Sequence, residues 1–302
     1  MDMTSEPTLP NPDKLLPVAI LGAGKMGASI AGRLAAEGFA VALWNRTRAR
    51  ADALAVGRVY DTSADASSDA EVVISSLTGP DAIRTAYLGP HGALAAGSGK
   101  LFIEMSTAGP DVVPELAAAV AAAGGRLVVA PILGAPSVVR DGKAAMIVGG
   151  TESDVALARP VLLRLGSVRH VGPLADAARL KLVSNSMLAD VILAAAELQV
   201  AGERSGLDPQ DVFWVLERLA PALGLRRHGY IENLHEPTLF AVRDLVKDLA
   251  FATSLFNRSD ARTPLTSQAR DSFAAVESTS GDLDITSVIL PYRETGGPAT
   301  AR

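Results

Sequence analysis

Short apolar runs alternate with amphipathic stretches through the first half of the chain. The segments "PVAILGA" (17–23), "AVALWN" (40–45), "EVVISSL" (71–77), "KLFIEMS" (100–106), "RLVVAPI" (126–132) and "AAMIVGG" (144–150) each read as a buried strand. Helical periodicity fills 25–37, 110–123 and 152–165 between several of them. Strands that are apolar throughout and alternate with helices predict βαβ units in a mainly parallel, doubly wound sheet. Beyond residue 172 the strand pattern stops. Residues 173–204 read as one long helix, and 208–220, 239–257 and 264–278 as further helices. The expected fold class is therefore α/β, with an N-terminal domain over 17–171 and an all-helical domain over 172–290. The polar, proline-rich residues 1–16 are expected to be a disordered extension, and 291–302 a flexible tail.

Composition narrows the function classes. A chain of 302 residues with 48% hydrophobic and 20% charged residues is an ordinary globular composition with ample core. The net charge of −5 argues against nucleic acid or an anionic membrane as partner, since both call for a basic surface. No uninterrupted apolar run approaches the roughly 18–20 residues of a spanning helix. Cysteine is absent, which excludes disulfides, thiolate catalysis and cysteine-ligated zinc. His91, His170, His228 and His235 are scattered without metal-ligand spacing, so no metal is expected. The N-terminal residues lack the basic and apolar regions of a signal peptide, and a cytoplasmic location is expected.

The sharpest motif is Gly22-x-Gly24-x-x-Gly27, directly after a strand and at the opening of a helix. Gly22 permits a tight turn, Gly24 lets the backbone approach a pyrophosphate, and Gly27 lets the helix pack closely on the strand. The helix N-terminus adds amides and a positive dipole. This context predicts a Rossmann-type dinucleotide site, with Lys25 and Met26 inside the turn. An NAD-preferring site places a carboxylate about 20 residues on, to bind the ribose 2′-hydroxyl. Here the second strand ends in Asn45-Arg46-Thr47. A neutral amide, a guanidinium and a hydroxyl suit a 2′-phosphate, which a carboxylate would repel. The expected cofactor is NADP, bound as NADPH. Arg48 and Arg50 read as a solvated helix start.

With these motifs in order, residues 17–290 resemble the β-hydroxyacid dehydrogenase family, which includes 3-hydroxyisobutyrate dehydrogenases and glyoxylate/succinic semialdehyde reductases. "EMSTAGP" (104–110) is similar to the family's Asp-x-Ser-Thr-x-x-Pro segment, which implies substrate contact for Ser106 and cofactor contact for Thr107. Leu77-Thr78 stand where relatives line the cofactor with Leu-Pro. "HVGPLADAARLKLVSN" (170–185) resembles the catalytic segment, with Lys181 on its lysine and Asn185 on its partner. "LVKDL" (245–249) implies that Lys247 reaches the cofactor, and "GDLDITSVI" (281–289) matches the closing segment.

Two departures stand out. Relatives carry Ser-Gly-Gly in the substrate loop, where this chain has Leu133-Gly134-Ala135 within "VAPILGAP". Either backbone amides there still hold a substrate carboxylate, with added apolar bulk favouring a more hydrophobic substrate, or Leu133 packs inward. "LADA" (174–177) replaces a glycine-rich turn, which bears on the local backbone path.

Helix geometry bears on Lys181 itself. At about 100° per residue, it shares a face with Ala177, Ala178, Ser184, Asn185, Leu188 and Ile192. Arg179, Ser186, Asp190 and Glu197 fall opposite and are expected to form the solvated stripe. A lysine turned toward the packed side needs a polar partner. The implied chemistry is hydride transfer between nicotinamide and a small carbonyl or β-hydroxy acid, with Lys181 as general acid/base and Asn185 holding the substrate oxygen. Two alternatives stand beside it: an imine reductase of the same architecture, which generally lacks a lysine at this position, and a catalytically silent NADP-binding scaffold. The apolar helix 187–200 must be buried within its domain or against a second subunit, and relatives imply a homodimer or homotetramer.

Overall fold

The apolar runs pair into one sheet. The structure is a computed structural model that describes residues 16–294. The chain packs as two units that divide between Lys181 and Leu182. Of the stretch expected to be disordered, residues 1–15 lie outside the described residues, and Leu16 packs on the core of the first unit.

Among the described residues the first unit carries nine strands: β1 (Val18–Leu21), β2 (Val41–Trp44), β3 (Arg58–Val59), β4 (Val72–Ser75), β5 (Leu101–Glu104), β6 (Arg126–Val129), β7 (Ile132–Leu133), β8 (Ala144–Gly149) and β9 (Gly166–Gly172). Their order is β3-β2-β1-β4-β5-β6-β8-β7, with β9 also on β8. Strands β1 to β6 run parallel, whereas β8 is antiparallel to β6 and β7. The sheet is covered by α1 (Lys25–Ala36), α2 (Arg48–Asp52), α3 (Ser63–Ser68), α4 (Pro80–Leu88), α5 (Val113–Ala122), α6 (Pro136–Arg140) and α7 (Glu152–Leu165). Continuous apolar strands are what a sheet buried on both faces requires. Val18 and Ile20 pack with Ile30 and Leu34 on one face. Ala19 and Leu21 pack with Ile83, Tyr87 and Phe102 on the other.

The α/β domain matches the expectation, but β3, β7 and β9 are additions to it. β3 and β7 have only two residues each, and β9 is an edge strand with Arg169 and His170 exposed, so none presents an apolar run. Helix α8 (Leu174–Arg204) begins in the first unit and continues into the second. It is long and apolar enough, by length and composition, to cross a membrane, which the search for uninterrupted apolar runs misses. Its Ala189, Ile192, Ala196 and Val200 nevertheless belong to the buried core of the helical unit.

That unit also holds α9 (Pro209–Leu219), α10 (Arg227–Ile231), α11 (Val242–Arg258), α12 (Pro264–Ser280) and α13 (Leu290–Glu294). Phe213, Tyr230, Leu245, Leu249 and Phe273 interlock at its centre. Asp284 is the polar hub. Its carboxylate accepts Arg226 Nε at 3.0 Å and the amides of Leu239, Phe240 and Thr286. This ties the segment leading into α11 to the closing segment. Residues 291–294, expected to fray, are helical instead, and Arg293 pairs with Glu203 and with the Tyr230 carbonyl. Residues 295–302 lie outside the described residues.

The face assignment on α8 needs one correction. Arg179 and Glu197 are exposed as expected, but Ser186 is buried and Asp190 half-buried, and the solvent side also carries Leu180, Val183, Met187 and Leu198. Lys181 is half-buried, between buried Ala177 and buried Asn185 on its own face.

Candidate functional site

The carboxyl ends of β1, β2, β4 and β5 lie along one edge of the sheet, and the strand order reverses between β1 and β4. Open α/β sheets bind ligands at such a switch point. Gly22 leaves β1 at φ +108°, and a Cβ there would lie 2.2 Å from the Ser76 carbonyl oxygen. Gly27 packs α1 so tightly that a Cβ would lie 1.9 Å from the Gly22 carbonyl oxygen. Both positions therefore need glycine for steric reasons within the chain itself. Gly24 differs, since a Cβ there would meet nothing within 4 Å. Gly24 caps α1 without a side-chain hydrogen bond, and no acidic residue stands in the helix's first turn. The result is an open, uncapped N-terminus of a 12-residue helix behind a glycine turn, which fits a pyrophosphate. Lys25 is exposed beside it, and Met26 packs on the core.

Asn45 braces this turn. Its Oδ1 accepts the Ala23 amide at 2.9 Å, and its Nδ2 donates to the Thr47 carbonyl at 2.8 Å. Arg46 and Thr47 are exposed, and among the described residues Arg46 forms no ion pair. Arg48 is engaged with Asp61 and Asp52, in line with a structural helix start.

At the ends of β4 and β5 the amide of Leu77 donates to Ser106 Oγ at 2.7 Å. The amide of Ser106 donates to Glu104 Oε1 at 2.6 Å, and Ser75 Oγ donates to Glu104 Oε2 at 2.5 Å. Ser75 Oγ and the Tyr87 hydroxyl are 2.5 Å apart. Burial pushes the Glu104 carboxyl above the usual range, against the opposing pull of hydrogen bonds from Ser106, Ser75 and Tyr87. Burial first, and then the Glu104 charge, push the Tyr87 hydroxyl well up. Thr107 is half-buried and Thr78 exposed.

Still within the first unit, Lys181 Nζ donates to the Ile132 carbonyl at 2.6 Å. The half-buried ammonium thus sits on the peptide that opens Leu133-Gly134-Ala135. Leu133 itself packs on Val113, Val129, Ile147 and Ala177, which is the inward of the two readings offered by the sequence. Gly134 is exposed at φ +143°, and Ala135 is half-buried.

In the helical unit, taken by itself, Asn185 is buried and donates through Nδ2 to Asp248 Oδ2 at 2.6 Å. Lys247 Nζ lies 3.1 Å from the other oxygen of Asp248. Asp248 and Glu104 were missed as functional candidates. Asp248 had a signal, because it lies on the apolar stripe of α11 with Leu245, Leu249 and Ala252, where a solvated acid does not belong.

Comparison with known proteins converges on one family. Residues 17–172 match the model of the NAD binding domain of 6-phosphogluconate dehydrogenase. Residues 175–292 match that of the NAD-binding domain of NADP-dependent 3-hydroxyisobutyrate dehydrogenase. The chain belongs to the β-hydroxyacid dehydrogenase family. It is 32% identical to the 3-hydroxyisobutyrate dehydrogenase of Pseudomonas aeruginosa, covering 91% of this chain and 98% of that one. The 3-hydroxyisobutyrate dehydrogenase of Mycobacterium tuberculosis, solved with L-serine, is 28% identical with a TM-score of 0.80, covering 93% and 100%. An imine reductase from Myxococcus stipitatus, solved with NADP+, shares the fold at 17% identity and a TM-score of 0.63, covering 92% and 100%. This β-hydroxyacid dehydrogenase is thus a nicotinamide-dependent oxidoreductase acting on CH–OH groups of small molecules.

The open surface at Gly24 yields a sharp expectation. Gly24→Ala should leave the thermal unfolding midpoint of the free protein near the wild-type value and weaken dinucleotide binding about tenfold or more, read by fluorescence titration. Wild-type affinity in that variant would show that the turn does not cradle a pyrophosphate.

Proposed function

We propose that this β-hydroxyacid dehydrogenase uses NADPH to interconvert a small carbonyl compound and its β-hydroxy acid, with Lys181 as the general acid/base. The observation that carries this reading is the 2.6 Å bond from Lys181 Nζ to the Ile132 carbonyl. It fixes a half-buried ammonium beside the loop at 133–135 that the family resemblance assigns to the substrate. When bound, the reduced nicotinamide supplies the hydride that adds to the carbonyl carbon. Lys181 gives a proton to the oxygen as charge develops on it; in the opposite direction neutral Lys181 takes the hydroxyl proton. Asn185, one turn along the same helix, is held rigid by Asp248 and steadies the substrate oxygen. Because Leu133 packs inward, the 133–135 loop offers the substrate its backbone rather than a new apolar wall.

NADPH preference is supported by exposed Arg46 and Thr47 at the end of β2 and by the absence of a carboxylate there. An oligomer, homodimer or homotetramer, is supported by the apolar stripe of Val183, Met187 and Leu198 on α8, which a single chain leaves in water.

Three outcomes test these points. Lys181→Met should lower kcat by about 10²–10⁴-fold in a short-semialdehyde assay while NADPH binding stays close to wild type. Turnover within a few-fold of wild type removes the lysine from the chemistry, and faster turnover of a cyclic imine than of any semialdehyde favours the imine reductase reading. Arg46→Ala should raise the Kd for NADPH by about 10- to 100-fold and leave that for NADH unchanged; equal effects on both would argue against a 2′-phosphate contact. Light scattering should give a multiple of the chain mass for the wild type and a smaller particle for Met187→Asp, whereas a wild-type monomer contradicts the oligomer.

A further inference from the structure

Glu104 is a buried acid at the reacting end of the sheet to which the family resemblance assigns no role. It closes β5, in register with Ser75 of β4 and Val129 of β6. It is 3% exposed, and both carboxylate oxygens are engaged, Oε1 by the Ser106 amide and Oε2 by the Ser75 hydroxyl. Such a group is costly to bury, and its burial is tolerated only with donors supplied to it. One donor is the amide of Ser106 in the loop after β5, and the other is the side chain of Ser75, the last residue of β4. The Ser106 hydroxyl accepts the Leu77 amide at 2.7 Å, so the residue whose amide Glu104 holds also holds the loop after β4.

We propose that Glu104 is a positioning residue, whose carboxylate, by accepting the Ser106 amide and the Ser75 hydroxyl, holds Ser106 in place and ties the loop after β5 to β4 at the reacting end of the site. The proposal rests on the reading that these loops face nicotinamide and substrate. Protonation of Glu104 converts an acceptor oxygen into a donor and loosens the Ser106 amide. The groups packed around Glu104 are Ser75 from β4, Val129 from β6, Tyr87 from α4 and Ser106 from the following loop, and Tyr87 is the other titratable one among them. The sign follows from the raised pKa of the Glu104 carboxyl. The carboxylate is present above that pKa and is lost as pH falls through it, so activity falls on an acid limb above the ordinary glutamate value of about 4.3.

The test is the pH profile of kcat/KM for wild type, Glu104→Gln and Ser75→Ala. Glu104→Gln should lack the acid limb and run about tenfold below the wild-type plateau. Ser75→Ala removes a hydrogen bond that holds the Glu104 pKa down, so its acid limb should move to higher pH. That shift stands as an independent check if Glu104→Gln does not fold. A role confined to stability would move neither limb. The proposal is overturned if Glu104→Gln keeps both the limb and the rate, or if the Ser75→Ala limb stays in place or moves to lower pH. Lys181→Met separates the two readings. Turnover lost there but indifferent to Glu104 and Ser75 sinks this proposal alone. A wild-type chain inert toward carbonyl and imine substrates sinks both.

Discussion

Every strand that stops at the carboxyl edge of a parallel sheet leaves backbone polar groups that must find partners. Here side chains meet that demand four times over. Asn45 takes the Ala23 amide, Ser106 the Leu77 amide, Glu104 the Ser106 amide, and Lys181 the Ile132 carbonyl. Three of these bonds join segments distant in sequence, and the Glu104 bond braces the turn that leaves β5. The bonds that make the edge foldable thus also brace the loops that leave it.

Much of this was legible in the sequence, for definite reasons. The apolar strand runs gave the sheet because a parallel strand buries both faces, and the glycine spacing gave the phosphate turn because two of those glycines have carbonyl oxygens where a Cβ would be. The helix face that Lys181 shares with Asn185 predicted a polar partner for the lysine, which has one in the Ile132 carbonyl, and Asn185 has one in Asp248. The failures are as specific. β9 alternates exposed charged and half-buried positions as an edge strand does, and so resembles a loop. Ser186 and Asp190 are polar yet turned from water, whereas the exposed side of α8 mixes Arg179 and Glu197 with apolar residues, so polarity alone does not mark its solvent face. Glu104 looks like any surface acid until its burial is known, whereas Asp248 betrays itself by standing on the apolar stripe of α11.

The helical unit follows the same logic with a different hub. Asp284 collects a guanidinium and three amides, and so fixes the segment that runs into α11, from which Lys247 and Asp248 project. Asp248 in turn holds Asn185. A buried carboxylate that organises donors from several segments is costly to place and hard to replace, because removing it strands its partners. Glu104 in one unit and Asp284 in the other both act in this way.

The brace at Asn45 separates what can vary from what cannot. Its amide serves the phosphate turn, so an acid introduced there would disturb the loop as well as repel a phosphate. Arg46 and Thr47 lie one and two residues on, exposed, their side chains contributing little to the fold. On the NADPH reading proposed above, drift or engineering of dinucleotide preference has an open route through those two positions and a closed one through their neighbour.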